Sequence, residues 1–228
     1  MSRNVLIFRP QPGADETAGQ ARSIGLKPVL APLFAVRPLA WLAPDPAGFD
    51  AVMLTSANAA RHAGTALAPY LGLPCYAVGE ATAAAASEAG FRDIRTGAED
   101  GTALLALMAA RNVQAALHFC GRDRLELGHP NFAIAPVPVY AADAVQRMPA
   151  AAEAALGEGA LALLHSPRAA AVFGTLVGDR RAGIDIAAIS TATARAAGGG
   201  WRSVAVAPRP RGQALLELAA KLCQTAWQ

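Results

Sequence analysis

The chain has 228 residues and a mass of 23.3 kDa, is 54% hydrophobic and 16% charged, and has a mean hydropathy of +0.29. These values exclude a disordered or acidic-tail protein and leave room for one large domain or two small ones. The formal net charge of +3 comes from scattered arginines, with Lys27 and Lys221 the only lysines and 6% aromatic residues placed singly, which argues against a nucleic-acid groove. The longest stretch free of Lys, Arg, Asp and Glu, His62 to Gly79, is broken by Gly64, Pro69, Gly72 and Pro74 and cannot span a membrane. The opening apolar run Val5–Phe8 is too short for a signal peptide, so a cytoplasmic protein without membrane partners is expected.

Short apolar runs alternate along the chain with alanine-rich helical stretches. Strands are predicted at Val5–Phe8, Val29–Ala31, Ala51–Leu54, Tyr76–Val78, Ala116–Phe119, Leu161–Leu164, Ala187–Ile189 and Val204–Val206. Helices are predicted at Glu16–Ser23, Ala57–Leu67, Thr82–Ala89, Thr102–Ala110, Arg168–Leu176, Thr193–Ala197 and Gln213–Cys223. Arg122 to Pro138, with Gly128, Pro130 and Pro136, fits only a short turn of helix. Strands that are apolar throughout suit parallel sheets covered on both faces, so the expected class is α/β. Cys75, Cys120 and Cys223 lie far apart in apolar segments and read as buried reduced thiols. The histidines His62, His118, His129 and His165 lack metal-ligand spacing, so no metal is expected.

The pattern occurs twice. Leu54-Thr-Ser-Ala-Asn-Ala-Ala60 matches Leu164-His-Ser-Pro-Arg-Ala-Ala170 at an offset of 110, and Gly90-Phe91-Arg92 matches Gly200-Trp201-Arg202 at the same offset. Val78-Gly-Glu-Ala-Thr-Ala83 matches Ile189-Ser-Thr-Ala-Thr-Ala194, and Ala103-Leu104-Leu105 matches Ala214-Leu215-Leu216, both at 111. More weakly, Phe8 falls 111 before Phe119, and Pro32-Leu-Phe-Ala35 resembles Pro138-Val-Tyr-Ala141 at 106. Four blocks in one order at a nearly constant offset predict two similar lobes.

In such folds the loops at the carboxyl ends of the strands carry the ligands. Thr55-Ser56, Ser166, Gly79 to Thr82 and Ser190 to Thr193 all fall there, each just before a helix whose free N–H groups attract anions. Ser and Thr in that place are also ordinary N-caps. No phosphate loop, Ser–His–Asp set or paired carboxylates can be read, and no G-x-G-x-x-G follows a strand, which disfavours a dinucleotide enzyme. The residues alone therefore lead to a two-lobed protein for a small anionic ligand.

The same residues resemble the uroporphyrinogen-III synthase family over essentially the whole chain. Phe8-Arg9-Pro10, Pro28-Val-Leu-Ala-Pro-Leu33, Thr55-Ser56-Ala57-Asn58-Ala59, Tyr76-Ala-Val-Gly-Glu-Ala-Thr-Ala83, Gly121-Arg122-Asp123-Arg124 and Val139-Tyr140 follow that family's order of motifs. Ser190-Thr191 stands where the family has Gly-Pro, and His165 where it has threonine. The resemblance implies a monomeric lyase of heme and tetrapyrrole (porphyrin) biosynthesis that closes hydroxymethylbilane to uroporphyrinogen III, with loss of water and inversion of ring D. It implies no metal or organic cofactor, a linear tetrapyrrole as partner, and a transient handover from the preceding pathway enzyme. It also implies two lobes joined by extended crossing segments, Leu33–Pro38 and Val137–Ala142, with a cleft between them. The lobes would comprise residues 1–36 with 141–228, and residues 37–140. Tyr140, whose repeat counterpart is Phe34, would give a proton to the leaving hydroxyl, the other reading being an aromatic packed at the hinge. Thr82, Thr193, Ser56, Ser166, Arg9 and Arg122 would bind substrate carboxylates. The competing reading is a binding or regulatory protein for a small polycarboxylate, without turnover.

Overall fold

The computed structural model describes residues 3–97 and 101–225. Strands and helices alternate as β1 (Asn4–Ile7), α1 (Gly13–Ser23), β2 (Lys27–Leu30), β3 (Phe34–Pro38), β4 (Ala51–Leu54), α2 (Ala57–His62), β5 (Cys75–Val78), α3 (Glu80–Glu88), β6 (Ile94–Gly97), α4 (Gly101–Ala110) and β7 (Ala115–Gly121). They continue as β8 (Ala133–Ala144), α5 (Ala150–Gly157), β9 (Leu161–Leu164), α6 (Pro167–Val177), β10 (Asp185–Ala188), α7 (Thr191–Ala197), β11 (Ser203–Val206) and α8 (Gly212–Thr225). The chain divides into two units, one of Met1–Ala35 with Asp143–Gln228, the other of Val36–Ala142.

In the first unit the sheet order is β11-β10-β9-β1-β2, with parallel pairing throughout. Residues of β1 and β9 alternate between two covered faces, which is why both strands are apolar at every buried position. Val5, Ile7, Leu161 and Leu163 meet Ala14, Ala18 and Ala21 of α1 and Leu215, Leu216 and Ala219 of α8. The alanines of α1 recur at helical spacing and bring that helix close to the sheet. Phe8 packs toward α6, its ring 4.6 Å from that of Phe173. At the amino ends of the strands Asp185 is gripped by Arg202, Ser203 and Arg3, whose Nη2 lies 2.6 Å from Oδ2. Arg202 first among these holds the Asp185 carboxyl well below the usual carboxylate range.

The second unit carries the order β3-β8-β7-β4-β5-β6. Val52, Leu54, Leu117 and Phe119 pack against α2 and α3, and Ala51, Met53, Tyr76 and Ala116 against α4. Element for element this repeats the first sheet: β9, β10, β11, β1 and β2 correspond to β4, β5, β6, β7 and β8, and α6, α7 and α8 to α2, α3 and α4. The offset of 110–111 in the sequence is thus a structural equivalence.

Strand β3 and helix α5 have no counterpart, and neither has α1. Where α1 joins β1 to β2, the chain between β7 and β8 forms no helix at all, not even the short turn that the sequence suggested. Leu127 and Phe132 from this loop cover part of the sheet face instead, and His129 stacks on Phe132 with ring centroids 4.7 Å apart. The helix predicted over Ala57–Leu67 ends at His62, because Gly64 turns the chain at φ 73° and Pro69 confines Thr65–Tyr70 to a 3-10 turn. Strand β6 and helix α5 were not predicted. The first carries two polar residues in four, and the second is an alanine run without a side-chain N-cap. The three cysteines are free and buried.

Candidate functional site

Each unit opens a cavity at the carboxyl ends of its central strands, and the two cavities use repeat-equivalent positions. In the second unit about 330 Å³ is lined by Thr55 and Ser56 after β4, Gly121 at the end of β7, Tyr140 on β8, Val78, Gly101 and the loop residues Asp123, Arg124, Leu125 and Leu127. In the first unit about 250 Å³ is lined by Phe8, Arg9 and Pro10 after β1, Phe34, and His165, Ser166 and Ala169 at the start of α6. Thr55 corresponds to His165, Ser56 to Ser166, Gly121 to Pro10 and Tyr140 to Phe34.

The serines do the work their position before a helix predicts. Ser56 Oγ accepts the Asn58 amide at 3.3 Å, and Ser166 Oγ accepts the Ala169 amide at 3.2 Å. A hydroxyl that accepts a cap bond keeps its own hydrogen for a ligand oxygen. Beneath Thr55 lies His118, buried on β7, with Nε2 3.0 Å from Thr55 Oγ1. Burial, and secondarily the charge of Arg124, pushes the His118 pKa down to about 4, so the imidazole is neutral near pH 7.

Tyr140 stands over the end of β7. The Arg122 amide donates to its carbonyl at 2.8 Å, and the ring of His62 lies beside its ring with centroids 6.2 Å apart. The phenol ring covers Gly121 so closely that a Cβ built there would lie 2.9 Å from Cζ and 3.0 Å from the hydroxyl oxygen.

The first unit arranges different groups around its cavity. Arg9 folds over the start of α1, giving Nη1 to Thr17 Oγ1 at 3.0 Å, and its guanidinium occupies the space a Cβ on Gly13 would need. Phe34 lies under the guanidinium of Arg168, 4.6 Å from the ring centroid. Both ring nitrogens of His165 are buried without a side-chain partner, and the Leu163 backbone is the group that partly offsets the lowering of its pKa. Burial first, and then the nearby charge of Arg9, pushes its pKa down to about 4.

Of the residues singled out in the sequence, Tyr140 and Ser56 line the second unit's cavity, and Arg9 and Ser166 the first's. Thr82 and Thr193 are buried in the third positions of α3 and α7 and line neither. Arg122 is exposed beside Asp123 at 3.2 Å, while the next arginine, Arg124, reaches the cavity. Thr55 was marked only as part of a strand-end ligand loop, and Arg124, Gly121 and the leucines of the loop were not foreseen as site residues. The second arginine of Gly121-Arg122-Asp123-Arg124 was the available signal for Arg124, whereas nothing local marks Leu125 or Leu127. Among the described residues no group of three or more His, Cys, Asp or Glu could hold a metal ion, and no helix is long and apolar enough to cross a membrane.

The family model described as Uroporphyrinogen-III synthase HemD matches residues 15–217. Among solved structures, the chain is similar to uroporphyrinogen-III synthetase from Helicobacter pylori, with 18% identity, 97% of this chain and 100% of that one covered, and a TM-score of 0.69. It is also similar to a mutant uroporphyrinogen III synthase from the extremely thermophilic bacterium Thermus thermophilus, with 16% identity, 99% and 100% coverage and a TM-score of 0.53. At these identities the likeness speaks for the fold. No curated protein sequence matches the chain.

Proposed function

Since the chain belongs to the uroporphyrinogen-III synthase family, we propose that it is a lyase that closes hydroxymethylbilane into uroporphyrinogen III, with Tyr140 as its general acid. The observation that supports the assignment of Tyr140 is the second unit's cavity, which Tyr140 lines together with Thr55, Ser56 and Arg124. The reaction asks little covalent chemistry of the protein. The electron-rich pyrrole of ring A expels its hydroxymethyl oxygen once that oxygen is protonated, and water leaves. The resulting electrophilic carbon is attacked by the substituted carbon of ring D. The spiro intermediate so formed rearranges, and the ring proton lost at the end restores the acid. A phenol supplies the first proton without carrying a negative charge into a site meant for carboxylates.

The remaining task is orientation. Free hydroxymethylbilane closes at the unsubstituted end of ring D and gives the uninverted isomer, so the protein must hold the chain with the other carbon closer. Eight carboxylates offer the handles. Arg124 and Ser56 in the second unit, and Arg9 and Ser166 in the first, are assigned to them as charge-assisted hydrogen-bond partners. Arg122 is assigned to a carboxylate at the solvent edge. Thr82 and Thr193 are assigned to binding through the helix-initiating turns in which they are anchored. Because the substrate closes by itself, direct handover from the enzyme that forms it belongs to the same reading, as does a cytoplasmic setting in which three buried thiols stay reduced.

The test is to incubate freshly made hydroxymethylbilane with the protein, oxidise the products and separate the porphyrin isomers. Predominant isomer III, unchanged by chelators, is expected. Isomer I at the level of a protein-free control overturns the enzyme reading and leaves a polycarboxylate-binding protein.

A further inference from the structure

Gly121 ends β7 with backbone angles open to any residue, since it is absent from the positive-φ positions of the chain. Its lack of a side chain therefore needs another cause. That cause is the Tyr140 ring, because a Cβ at this position would meet Cζ at 2.9 Å, the hydroxyl oxygen at 3.0 Å and Cε2 at 3.2 Å. All three atoms belong to the far end of one side chain. Carbon pairs rest at about 3.5–4.0 Å, so a methyl group here drives the phenol away by about half an ångström or more while the backbone stays where it is. The register of β7 against β8 shifts between Cys120 and Gly121, setting Gly121 opposite Tyr140, and the Arg122 amide fixes the Tyr140 carbonyl. Backbone and glycine together thus let the ring lie directly against the end of β7.

We infer that Gly121 is a positioning residue, the bare floor that sets where the Tyr140 hydroxyl stands in the cavity. The inference rests on the reading of Tyr140 as the acid and adds the element that fixes its reach. It also separates the two units: at the equivalent places Pro10 and Phe34 line the first unit's cavity, and Phe34 has no hydroxyl to aim.

The experiment compares Gly121→Ala, Tyr140→Phe and the double variant in the isomer III assay, with kcat, KM and Tm for each. Gly121→Ala is expected to lower kcat by about tenfold or more, since displacements of this order near a reacting group are costly. KM should stay within about twofold, and Tm within a few degrees. Added to Tyr140→Phe, it should cause no further loss of kcat, because no hydroxyl remains to misplace. Wild-type kcat in Gly121→Ala, or losses that multiply in the double variant, would overturn the positioning role while Tyr140→Phe alone still reports on the acid. Near-full turnover of Tyr140→Phe removes the acid reading itself. Should Gly121→Ala be too unstable to assay, the clash is read in Tm. The alanine must then cost clearly less in a Tyr140→Leu background than in the native one, and an equal cost in both overturns the inference.

Discussion

At repeat-equivalent positions of the two units, Tyr140 presents a phenol where Phe34 presents a plain ring covered by Arg168, and Thr55 presents a hydroxyl backed by His118 where His165 presents buried nitrogens without a side-chain partner. The His118 position is taken by Ile7 in the first unit. In each unit a buried neutral imidazole thus lies by the cavity, His118 on β7 and His165 just past β9, with opposite consequences. In the second unit it is paired with a cavity-lining hydroxyl, and in the first it lies near the charge of Arg9 with no side-chain partner. The loop that replaces helix α1 sharpens the contrast, because it brings Arg124, Leu125 and Leu127 to the rim of the second cavity. A duplicated scaffold has kept its strand ends and helix caps in both copies and concentrated the groups suited to proton transfer in one.

The largest expected effect breaks that division directly. Tyr140→Phe makes the second unit resemble the first and should lower kcat by about a hundredfold or more, the usual worth of general acid assistance, with little change in KM. The reciprocal Phe34→Tyr adds a phenol where nothing else fits the role and should leave kcat unchanged. Steady-state kinetics on the two variants checks both. Wild-type kcat for Tyr140→Phe would leave catalysis to positioning alone.

The two imidazoles give a second comparison, read through pH. Both are held near 4 in the folded protein, against 6.5 for an ordinary histidine. Between those values the unfolded chain binds protons that the folded chain refuses. Stability is therefore complete above pH 6.5, falls as the pH drops through 6.5, and levels off near 4. Each histidine accounts for up to about 3 kcal/mol over that window. Asp185 acts in the same direction but lower on the pH scale: its depressed carboxyl contributes stability that is lost only as the pH falls below the ordinary 3.8, outside this window. Urea unfolding from pH 7 to 4 should show this slope, and His165→Leu should flatten it. That substitution should leave stability at pH 7 nearly unchanged, because the neutral buried ring has no side-chain partner to lose and only the Leu163 backbone beside it. His118→Leu should flatten the slope too but lower stability at pH 7, since it strands Thr55. Equal behaviour of the two variants would erase the distinction drawn between the units.

Much of this was legible in the sequence because the repeat is periodic information. Blocks such as Leu54 to Ala60 and Leu164 to Ala170 fix strand, loop and helix start together, and the apolar runs mark parallel strands whichever copy they lie in. The parallel α/β fold and the family could be read from those residues. What escaped was set by tertiary context. Strand β6 is half polar because it forms a sheet edge, and α5 has no capping residue to announce it. Thr55 was visible as a strand-end hydroxyl, but its tie to His118 depends on the register of β4 against β7, which no local pattern encodes. Arg124 required knowing that the loop after β7 stays open, and the role of Gly121 required the ring of a residue nineteen positions further on.

The smallest expected effect concerns the paired threonines, which looked interchangeable in the sequence. Thr193 gives its amide to Ser190 Oγ at 3.2 Å and shares a hydroxyl hydrogen bond with the same atom at 3.0 Å. At the equivalent place before Thr82 stands Gly79, at φ 71°, which has no side chain to return either bond. Thr193→Ala thus breaks a buried hydroxyl pair and should cost about 1 kcal/mol of stability, the net worth of one hydrogen bond. Thr82→Ala loses no such bond and should cost a few tenths of a kcal/mol, within the range of unremarkable substitutions. In the isomer III assay both should act on KM far more than on kcat, because neither hydroxyl is near the leaving oxygen in this reading. Thermal unfolding measured beside KM separates the two roles. Equal stability losses for Thr82→Ala and Thr193→Ala would show that the Ser190 bond contributes nothing. A KM change in Thr82→Ala without loss of Tm would tie that threonine to substrate binding alone.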